Sequence, residues 1–293
     1  MSSVLITGCT GTFGRAVLPL ALAQGYERVI VFSRDEAKQH ELRLQYADEK
    51  RLRWFIGDVR DKERLKLALR GVVHVIHAAA LKHVIAGEYN PSEFVKTNIY
   101  GAQNLVEAAI ECHVSRVLAL STDKAVNPIN LYGATKLCAE RIFLASNALD
   151  PHGCHFSVTR YGNVVGSRGS FIELLKKLKA QGATHYPLRS AESTRFWISP
   201  EDAARFVLSR LQDMEGGEVF VPKMPSSSVT SFAQEHFPGG IPEIVGVPPG
   251  EKVHEVLITP EESQYTELAD GHFIIRPYGT RKDEPQWSYR SDQ

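Results

Sequence analysis

The sequence predicts an α/β protein in which a doubly wound parallel sheet is joined to a smaller C-terminal lobe. In the first half of the chain, short β-branched runs alternate with longer helical patterns, which is typical of consecutive βαβ units. The strand candidates are almost continuously apolar, as expected when helices cover both faces of a sheet. A glycine-rich turn follows the first of these apolar runs directly.

The elements follow from these patterns in chain order. The predicted strands are Ser3–Thr7, Arg28–Phe32, Leu52–Ile56, Val73–His77, Arg116–Ser121, His155–Arg160 and Glu218–Pro222. The predicted helices are Gly14–Ala23, Asp35–Tyr46, Lys62–Leu69, Pro91–Cys112, Tyr132–Asn147, Ser170–Gln181 and Pro200–Gln212, with Glu251–Leu257 as a candidate short helix. We assign residues 1–161 and the returning segment 199–223 to the sheet domain, and residues 162–198 and 224–293 to the lobe. The polar residues 281–293 are expected to form an exposed tail.

Composition narrows the class of protein. Lys plus Arg equals Asp plus Glu at 34 each, so no overall field favours nucleic acid or an anionic membrane as partner. The segment Met1–Gly8 lacks the pattern of a signal peptide, and no apolar run reaches the roughly 18 residues of a membrane helix. The cysteines are widely spaced without a metal-ligand pattern: Cys9, Cys112, Cys138 and Cys154. We expect a cytoplasmic protein with no metal site, whose cysteines are reduced and mostly buried.

The turn Thr7–Gly14 carries the first functional signal. Its three glycines are spaced three residues apart between a strand and a helix, where the backbone can approach a pyrophosphate closely. The N–H groups at the helix N-terminus favour an anion. This context predicts a dinucleotide site of the Rossmann type, with a plain tight turn as the alternative. The predicted contacts are Gly8, Thr10, Gly11, Thr12, Phe13 and Gly14.

The end of the second strand bears on which dinucleotide is bound. An acid that holds the ribose hydroxyls is usual about 20 residues beyond the loop in NAD-binding folds. Here Ser33, Arg34 and Asp35 occupy that place, with Lys38 one turn further. A guanidinium and a hydroxyl suit a 2′-phosphate, so NADP is favoured, while Asp35 leaves NAD open. Residues after the third and fourth strands are further predicted contacts: Asp58, Val59, Ala78, Ala79 and Ala80.

A second signal lies between the fifth strand and the following helix. Tyr132 and Lys136 are four residues apart on one helix face, which suits a phenol acting as acid and base beside an ammonium that lowers its pKa. Thr122, Asp123 and Lys124 end the fifth strand, at the sheet edge where Rossmann ligands bind. The added acid and amine imply proton transfers beyond hydride chemistry. A solvated Asp-Lys turn is the structural alternative.

These motifs carry a resemblance to the extended short-chain dehydrogenase/reductase family. The chain is most similar to its UDP-N-acetylglucosamine 4,6-dehydratases, in particular the soluble C5-inverting enzymes that begin pseudaminic acid synthesis. The matching segments run in the family's order: 77–84, 88–91, 96–98, 121–136, 160–170 and 194–198. Lys124 stands where retaining enzymes carry Glu, and Tyr132 stands where membrane-bound relatives carry Met. Two departures are Ile85 in place of a proline and Pro248 in place of an arginine expected to meet the nucleotide.

The resemblance implies a reaction without net redox change. UDP-N-acetylglucosamine would lose water to give a C5-inverted 4-keto-6-deoxy sugar by internal hydride transfer through NADP. The implied catalytic residues are Thr122, Asp123, Lys124, Tyr132 and Lys136. Tyr132 would take the 4-hydroxyl proton and Lys124 the C5 proton. Protonated Asp123 would help the 6-hydroxyl to leave.

Other implications concern binding and assembly. Candidates for contacts with the acetamido group and the diphosphate are Lys82, Asn163, Arg168 and Arg195, and Glu251 is a further candidate for binding the substrate. The family's habit is a homo-oligomer, from dimer to hexamer. A C5-retaining dehydratase or one for another nucleotide sugar remains open because of Pro248. A non-catalytic NADP-binding sensor is the alternative from a different class.

Overall fold

A computed structural model describes residues 2–151, 153–277 and 279–293. Its strands are β1 Ser3–Thr7, β2 Arg28–Ser33, β3 Leu52–Ile56, β4 His74–His77, β5 Arg116–Leu120, β6 His155–Thr159, β7 Asn163–Val164, β8 His185–Leu188, β9 Thr194–Ile198, β10 Val219–Pro222, β11 Ser226–Ser228, β12 Ile241–Ile244, β13 Val256–Ile258, β14 Thr266–Ala269, β15 His272–Ile275 and β16 Tyr289–Arg290. Its α-helices are α1 Thr12–Ala23, α2 Glu36–Gln45, α3 Lys62–Leu69, α4 Val84–Tyr89, α5 Pro91–Phe94, α6 Gly101–Glu111, α7 Leu131–Ala145, α8 Phe171–Ala180, α9 Pro200–Asp213, α10 Val229–His236 and α11 Pro260–Ser263. None of the helices in these ranges is long and apolar enough to cross a membrane.

The large sheet has nine strands in the order β14-β15-β10-β6-β5-β4-β1-β2-β3. The strands from β3 to β10 pair in parallel, and β15 and β14 extend that edge in antiparallel pairing. The predicted doubly wound parallel sheet is therefore confirmed. The strand order reverses direction between β1 and β4, and the crevice at such a point is where ligands of open α/β sheets bind.

The predicted strands and most helices agree with the structure to within one or two residues. Local chemistry explains several helix starts, because Asp35, Asp61, Asn130 and Ser199 each accept a backbone N–H bond as N-cap. The predicted helix Pro91–Cys112 is interrupted by a π-helical segment, Val95–Tyr100. There the buried Asn98 amide bonds both backbone groups of Leu81 and the Thr135 hydroxyl, so tertiary contacts hold this wider turn.

Two predictions near the C-terminus are wrong. The segment Glu251–Leu257 is not helical, since its end belongs to β13, which pairs antiparallel with β16. The residues 281–293 are not simply an exposed tail, because Ser291 is 2% exposed and bonds the backbone of Glu255 in both directions. Pairing between distant segments overrides local preference in both places.

The smaller lobe contains a three-stranded sheet, β11-β9-β7, and the parallel pair β8-β12. Its apolar clusters are separate from the main core, and one contains Trp197 stacked on Phe232 with ring centroids 3.6 Å apart. Phe196 is 1% exposed, so both aromatic residues of β9 pack as expected. The boundary at 224–293 needs correction, because β14 and β15 belong to the large sheet.

The cysteines are only partly as expected. All four are free, but only Cys9 and Cys154 are buried, whereas Cys112 is intermediate and Cys138 is exposed on α7. Burial raises the pKa of the Cys9 thiol to about 12. Cys9 therefore fills space in the glycine turn and is not a reactive thiolate.

Candidate active site

A cleft of about 1110 Å³ lies along the carboxyl edge of the large sheet. All predicted cofactor-binding and substrate-binding residues line it, as do Thr122, Lys124, Tyr132 and Lys136. Asp123 is fully buried directly beneath the cleft wall. The fold thus brings residues from distant parts of the chain into one site.

The glycine turn forms a tight cradle at one end of the cleft. Gly8 has a positive φ of 67°, and a Cβ there would lie 2.9 Å from the backbone of Ala78 and Ala79. A Cβ on Gly14 would lie 2.3 Å from the backbone of Cys9. The N-cap of α1 is Gly11, which has no side chain to satisfy the first N–H groups of the helix. This backbone fits a dinucleotide pyrophosphate.

The charged residues that follow β2 differ in their contacts and in their exposure. Asp35 caps α2 through the backbone N–H of Lys38, and its carboxylate pairs with the Lys38 ammonium. This hydrogen bond lowers the pKa of Asp35. The Arg34 side chain is 56% exposed and lies 3.9 Å from Asp58. Asp35 is therefore committed to the helix start, while the Arg34 guanidinium can reach a ligand.

The turn after β5 is buried. Asp123 Oδ1 accepts hydrogen bonds from the Thr122 hydroxyl at 2.9 Å and from Lys124 Nζ at 3.0 Å, and the Asp123 N–H donates to the Tyr161 carbonyl. No exposed surface remains on the Asp123 side chain. The solvated-turn alternative is wrong, since a buried carboxylate needs the partners seen here.

Lys124 lies among three acceptors. Its Nζ is 3.0 Å from Asp123 Oδ1, 3.3 Å from Glu255 Oε1 and 3.5 Å from Asn163 Oδ1. Burial alone would lower the pKa of Lys124, but the carboxylates of Asp123 and Glu255 raise it well above its ordinary value. The resting state is therefore an ion-paired ammonium.

Glu255 is a site residue that sequence reasoning missed. It lines the cleft, is 2% exposed and also lies 3.9 Å from Arg195 Nε. No local pattern identifies it, because its partner Lys124 is far away in the sequence and meets it only through the fold. The nearest signal in the sequence is that Glu255 stands three residues after the basic residue Lys252.

Tyr132 approaches the Lys124 turn closely. Asn130 accepts a bond from the Gly133 N–H at 2.7 Å, and a Cβ on Gly133 would lie 2.1 Å from the Lys124 carbonyl oxygen. Glycine at this position therefore lets the first turn of α7 pack against the catalytic candidates. Burial raises the pKa of Tyr132 to about 12, while the Lys124 charge and a hydrogen bond with Thr122 oppose that shift.

Lys136 is buried, and its Nζ donates to the Leu120 carbonyl at 2.6 Å. Burial lowers the pKa of Lys136 to about 8, with Glu140 opposing the shift. The Lys124 charge, which the sequence did not indicate for this effect, works against the burial that raises the pKa of the Tyr132 phenol.

A buried ion-pair network supports this region from below. Arg160, 2% exposed, bonds Glu140 at 2.7 Å and Glu262 at 3.0 Å. Ser121 donates to the same Glu140. These contacts tie β5, α7, β6 and α11 together, so the turn that carries Asp123 has a fixed base.

The predicted substrate residues fall into two groups. The Arg195 guanidinium donates to the carbonyls of Thr194, Val253 and Lys252, so it braces the cleft wall and has few donors left for phosphate. The side chains of Lys82 and Arg168 reach the solvent of the cleft, and the cleft walls around Lys82 partly desolvate its ammonium and lower its pKa.

Of the two other predicted substrate residues, Asn163 contacts Lys124, and the Glu251 carboxylate lies in an ion pair. It is 3.7 Å from Arg189, a cleft residue that the sequence did not indicate. Arg189 is 45% exposed, so it adds a further accessible guanidinium to this part of the cleft.

Comparison with known proteins supports the resemblance. Residues 4–277 match the model of a family described as polysaccharide biosynthesis protein. The chain belongs to this family. This family member is 49% identical over 94% of its length to a UDP-N-acetylglucosamine 4,6-dehydratase (inverting) of Campylobacter jejuni, of which it covers 83%.

Two further relatives extend the comparison. A UDP-glucose 4-epimerase of Rickettsia akari is 38% identical, with 93% of this chain and 82% of the epimerase aligned. The solved structure of Pen from Bacillus thuringiensis is 36% identical and has a TM-score of 0.93, covering 99% of this chain and 93% of that one. The family member thus shares its whole fold with a solved protein.

Proposed function

We propose that this protein is an NADP-dependent UDP-N-acetylglucosamine 4,6-dehydratase that inverts C5. The ion pair of buried Asp123 and half-buried Lys124 beside Tyr132 carries the proposal, because a simple alcohol oxidation has no use for an additional acid and amine. The similarity to the Campylobacter jejuni dehydratase over most of both chains supports the same substrate.

Tyr132 is the acid and base at the sugar's 4-hydroxyl. Its phenol lies beside the Thr122 hydroxyl and the Lys124 ammonium, both of which favour the phenolate over the phenol. Thr122 orients the 4-oxygen. Lys136 would hold the nicotinamide ribose and tune Tyr132, and burial lowers its own pKa to about 8.

Asp123 and Lys124 perform the elimination. The Lys124 ammonium donates a hydrogen bond to Asp123 Oδ1 at 3.0 Å, along which a proton can pass. Moving that proton to Asp123 converts the ion pair into a carboxylic acid and an uncharged amine without any net change of charge. The amine takes the C5 proton that the 4-ketone acidifies, and the acid protonates the departing 6-hydroxyl, which leaves as water.

The cofactor site suits NADP. When bound, NADP would supply the hydride chemistry between C4 and C6, and C5 would regain a proton on the face opposite the one that lost it. The cradle of Gly8, Gly11 and Gly14 holds the pyrophosphate. Arg34 takes the 2′-phosphate, supported by its exposure and by the commitment of Asp35 to the α2 cap.

The substrate lies further along the cleft. Lys82 and Arg168 contact the diphosphate, Asn163 the sugar, and Glu251 the nucleoside side of the site. Pro248 leaves one usual arginine contact unmade. Arg189, exposed beside Glu251, is a candidate to replace it.

We also propose the domain boundaries, the cellular location and the oligomeric state of the enzyme. Residues 1–161 and 199–223 form the cofactor domain with β14 and β15 added, and the rest of 162–198 and 224–293 binds substrate. We place the enzyme in the cytoplasm as a homo-oligomer, dimer to hexamer, that supplies pseudaminic acid synthesis.

The test is incubation of the purified protein with UDP-N-acetylglucosamine without added reductant, followed by mass spectrometry and NMR. Loss of one water with a C4 ketone, a C6 methyl group and inverted C5 is expected. Retained C5 would assign the retaining reaction, and a C4 epimer of unchanged mass would assign an epimerase. Unchanged substrate would redirect the assignment to another nucleotide sugar or to an NADP sensor, and analysis of the released cofactor would separate NADP from NAD.

A further inference from the structure

Glu255 is the carboxylate in the reacting centre that the proposed mechanism does not use. It is 2% exposed and lines the cleft, and its Oε1 lies 3.3 Å from Lys124 Nζ. Among the described residues its Oε2 has no hydrogen-bond partner. A buried carboxylate with an unpaired oxygen is costly, so its retention in the cleft calls for a function.

The backbone of Glu255 is held from two sides. Its N–H donates to Ser291 Oγ at 2.9 Å, and its carbonyl accepts from the Ser291 N–H at 2.9 Å. The same Ser291 hydroxyl bonds Thr194 Oγ1 at 2.7 Å. The chain end, folded back through β16, therefore fixes where this carboxylate stands.

The contacts of Lys124 show how the position of the Glu255 carboxylate affects this lysine. The Lys124 ammonium donates hydrogen bonds to Asp123 and Asn163, and the Glu255 carboxylate faces it as an ion-pair partner at 3.3 Å. When one proton passes to Asp123, the uncharged amine keeps two N–H groups, with Asn163 as acceptor and the Glu255 carboxylate beside it. The long side chain stays in place while its lone pair becomes available.

We propose that Glu255 is a positioning residue that holds Lys124 for removal of the C5 proton. The inference rests on the proposed dehydratase function. It predicts that Glu255 affects the elimination and not the preceding oxidation at C4, which depends on Tyr132. Arg195, 3.9 Å from the same Oε1, and Lys252 offset the negative charge of Glu255.

The main experiment separates the two stages with Glu255→Gln in the full-length protein. UDP-N-acetylglucosamine is added in D2O, and reduced nicotinamide absorbance, C5 deuterium and dehydrated product are followed. Glu255→Gln should form reduced cofactor as wild type does but lose roughly 100-fold in product formation, with a matching loss of C5 deuterium. Glu255→Asp keeps the charge and should recover part of the rate.

The control is Glu218→Gln, which removes a carboxylate of equal burial that bonds Ser157 away from the cleft. It should leave both stages unchanged in the folded fraction. Wild-type rates in Glu255→Gln, or equal loss of both stages, would overturn the inference. If Glu255→Gln does not fold, the same comparison is made with Glu255→Asp, which should slow only the elimination.

A substrate-free measurement distinguishes failure of this inference from failure of the proposed function. The Lys124 side chain is 25% exposed, so acetic anhydride can reach it. The charged and titratable groups around it are Asp123, Glu255, Arg195, Lys252, Lys82 and Tyr132. Removing the Glu255 charge lowers the pKa of Lys124, so Glu255→Gln should acetylate Lys124 several-fold faster, measured by peptide mass spectrometry. An unchanged rate would refute the contact, whatever the substrate is.

Discussion

The two ends of the cleft are built differently. The nucleotide end, comprising the glycine turn and residues 33–38 and 58, uses backbone N–H groups and partly exposed charges that lie near each other in sequence. The reacting end, comprising Asp123, Lys124, Tyr132 and Glu255, uses side chains buried together from segments more than a hundred residues apart. Charges at the first end are screened by water, whereas those at the second act on each other strongly.

Because of this difference, the nucleotide end mainly sets the affinity for the cofactor, and the reacting end mainly sets the rate of the reaction. A partly exposed guanidinium contributes modestly to binding, and its loss leaves the fold intact. A buried acid, amine and phenol determine proton positions, so each change there alters the reaction itself. Variants at the two ends should therefore differ in the size and in the kind of their effects.

The largest effect is expected at the phenol. Tyr132→Phe removes the acid and base at the 4-hydroxyl, so turnover should fall roughly 1000-fold. Cofactor retention, measured by mass spectrometry of the intact complex, should remain as in wild type. Tyr100→Phe, at a tyrosine 54% exposed and outside the cleft, is the control. Turnover within tenfold of wild type would show that Tyr132 is not the base.

A smaller loss is expected at the acid. Asp123→Asn cannot give a proton to the 6-hydroxyl, so product formation should fall about 100-fold. Reduced cofactor should still appear when substrate is added, because Tyr132 is intact. Stopped-flow absorbance and product analysis measure the two stages. Simultaneous loss of cofactor reduction would place Asp123 in the first step instead.

A pH effect is expected beneath the nucleotide end. The Thr7 hydroxyl accepts the Ala78 and Ala79 N–H groups and donates to His77 Nδ1 at 2.8 Å, which favours a neutral imidazole. Burial lowers the pKa of His77 to about 3. The unfolded chain, with a histidine pKa near 6.5, binds this proton first, so stability falls as pH drops from 6.5 towards 3.

The test compares urea unfolding of wild type and His77→Asn at pH 7 and pH 5. The variant should lose about 2 kcal/mol less stability over this interval than wild type. His113→Asn is the control, since His113 is exposed and its φ of 55° suits asparagine. Equal pH dependence in wild type and His77→Asn would show that His77 takes up its proton in the folded state.

The smallest effect is expected at the exposed guanidinium. Arg34→Ala should weaken NADP binding about tenfold and leave NAD binding almost unchanged, because only NADP has the 2′-phosphate. Calorimetric titration of cofactor-free protein with both dinucleotides measures the ratio. Arg53→Ala, exposed on β3 outside the cleft, is the control. An equal change for both cofactors would assign Arg34 a different role.

The sequence by itself determined the parallel sheet and the residues of the nucleotide end. Alternating apolar runs and helical periods specify βαβ units, and a glycine turn between strand and helix works through local backbone geometry. The Tyr132 and Lys136 spacing and the Asp123–Lys124 turn were also visible, because each lies within a few residues. Of these four residues, Lys124, Tyr132 and Lys136 line the cleft, whereas Asp123 is buried.

Only the tertiary structure decided how those groups act on one another. Burial and long-range pairing set the contacts of Lys124 with Glu255, the bonding of Arg195 to backbone carbonyls and the return of the chain end against Glu255. The same applies to Lys136, whose Nζ is held by the Leu120 carbonyl. Local patterns cannot encode these contacts, because the electrostatic energy of a charge depends on its burial and on neighbours that the chain supplies from elsewhere.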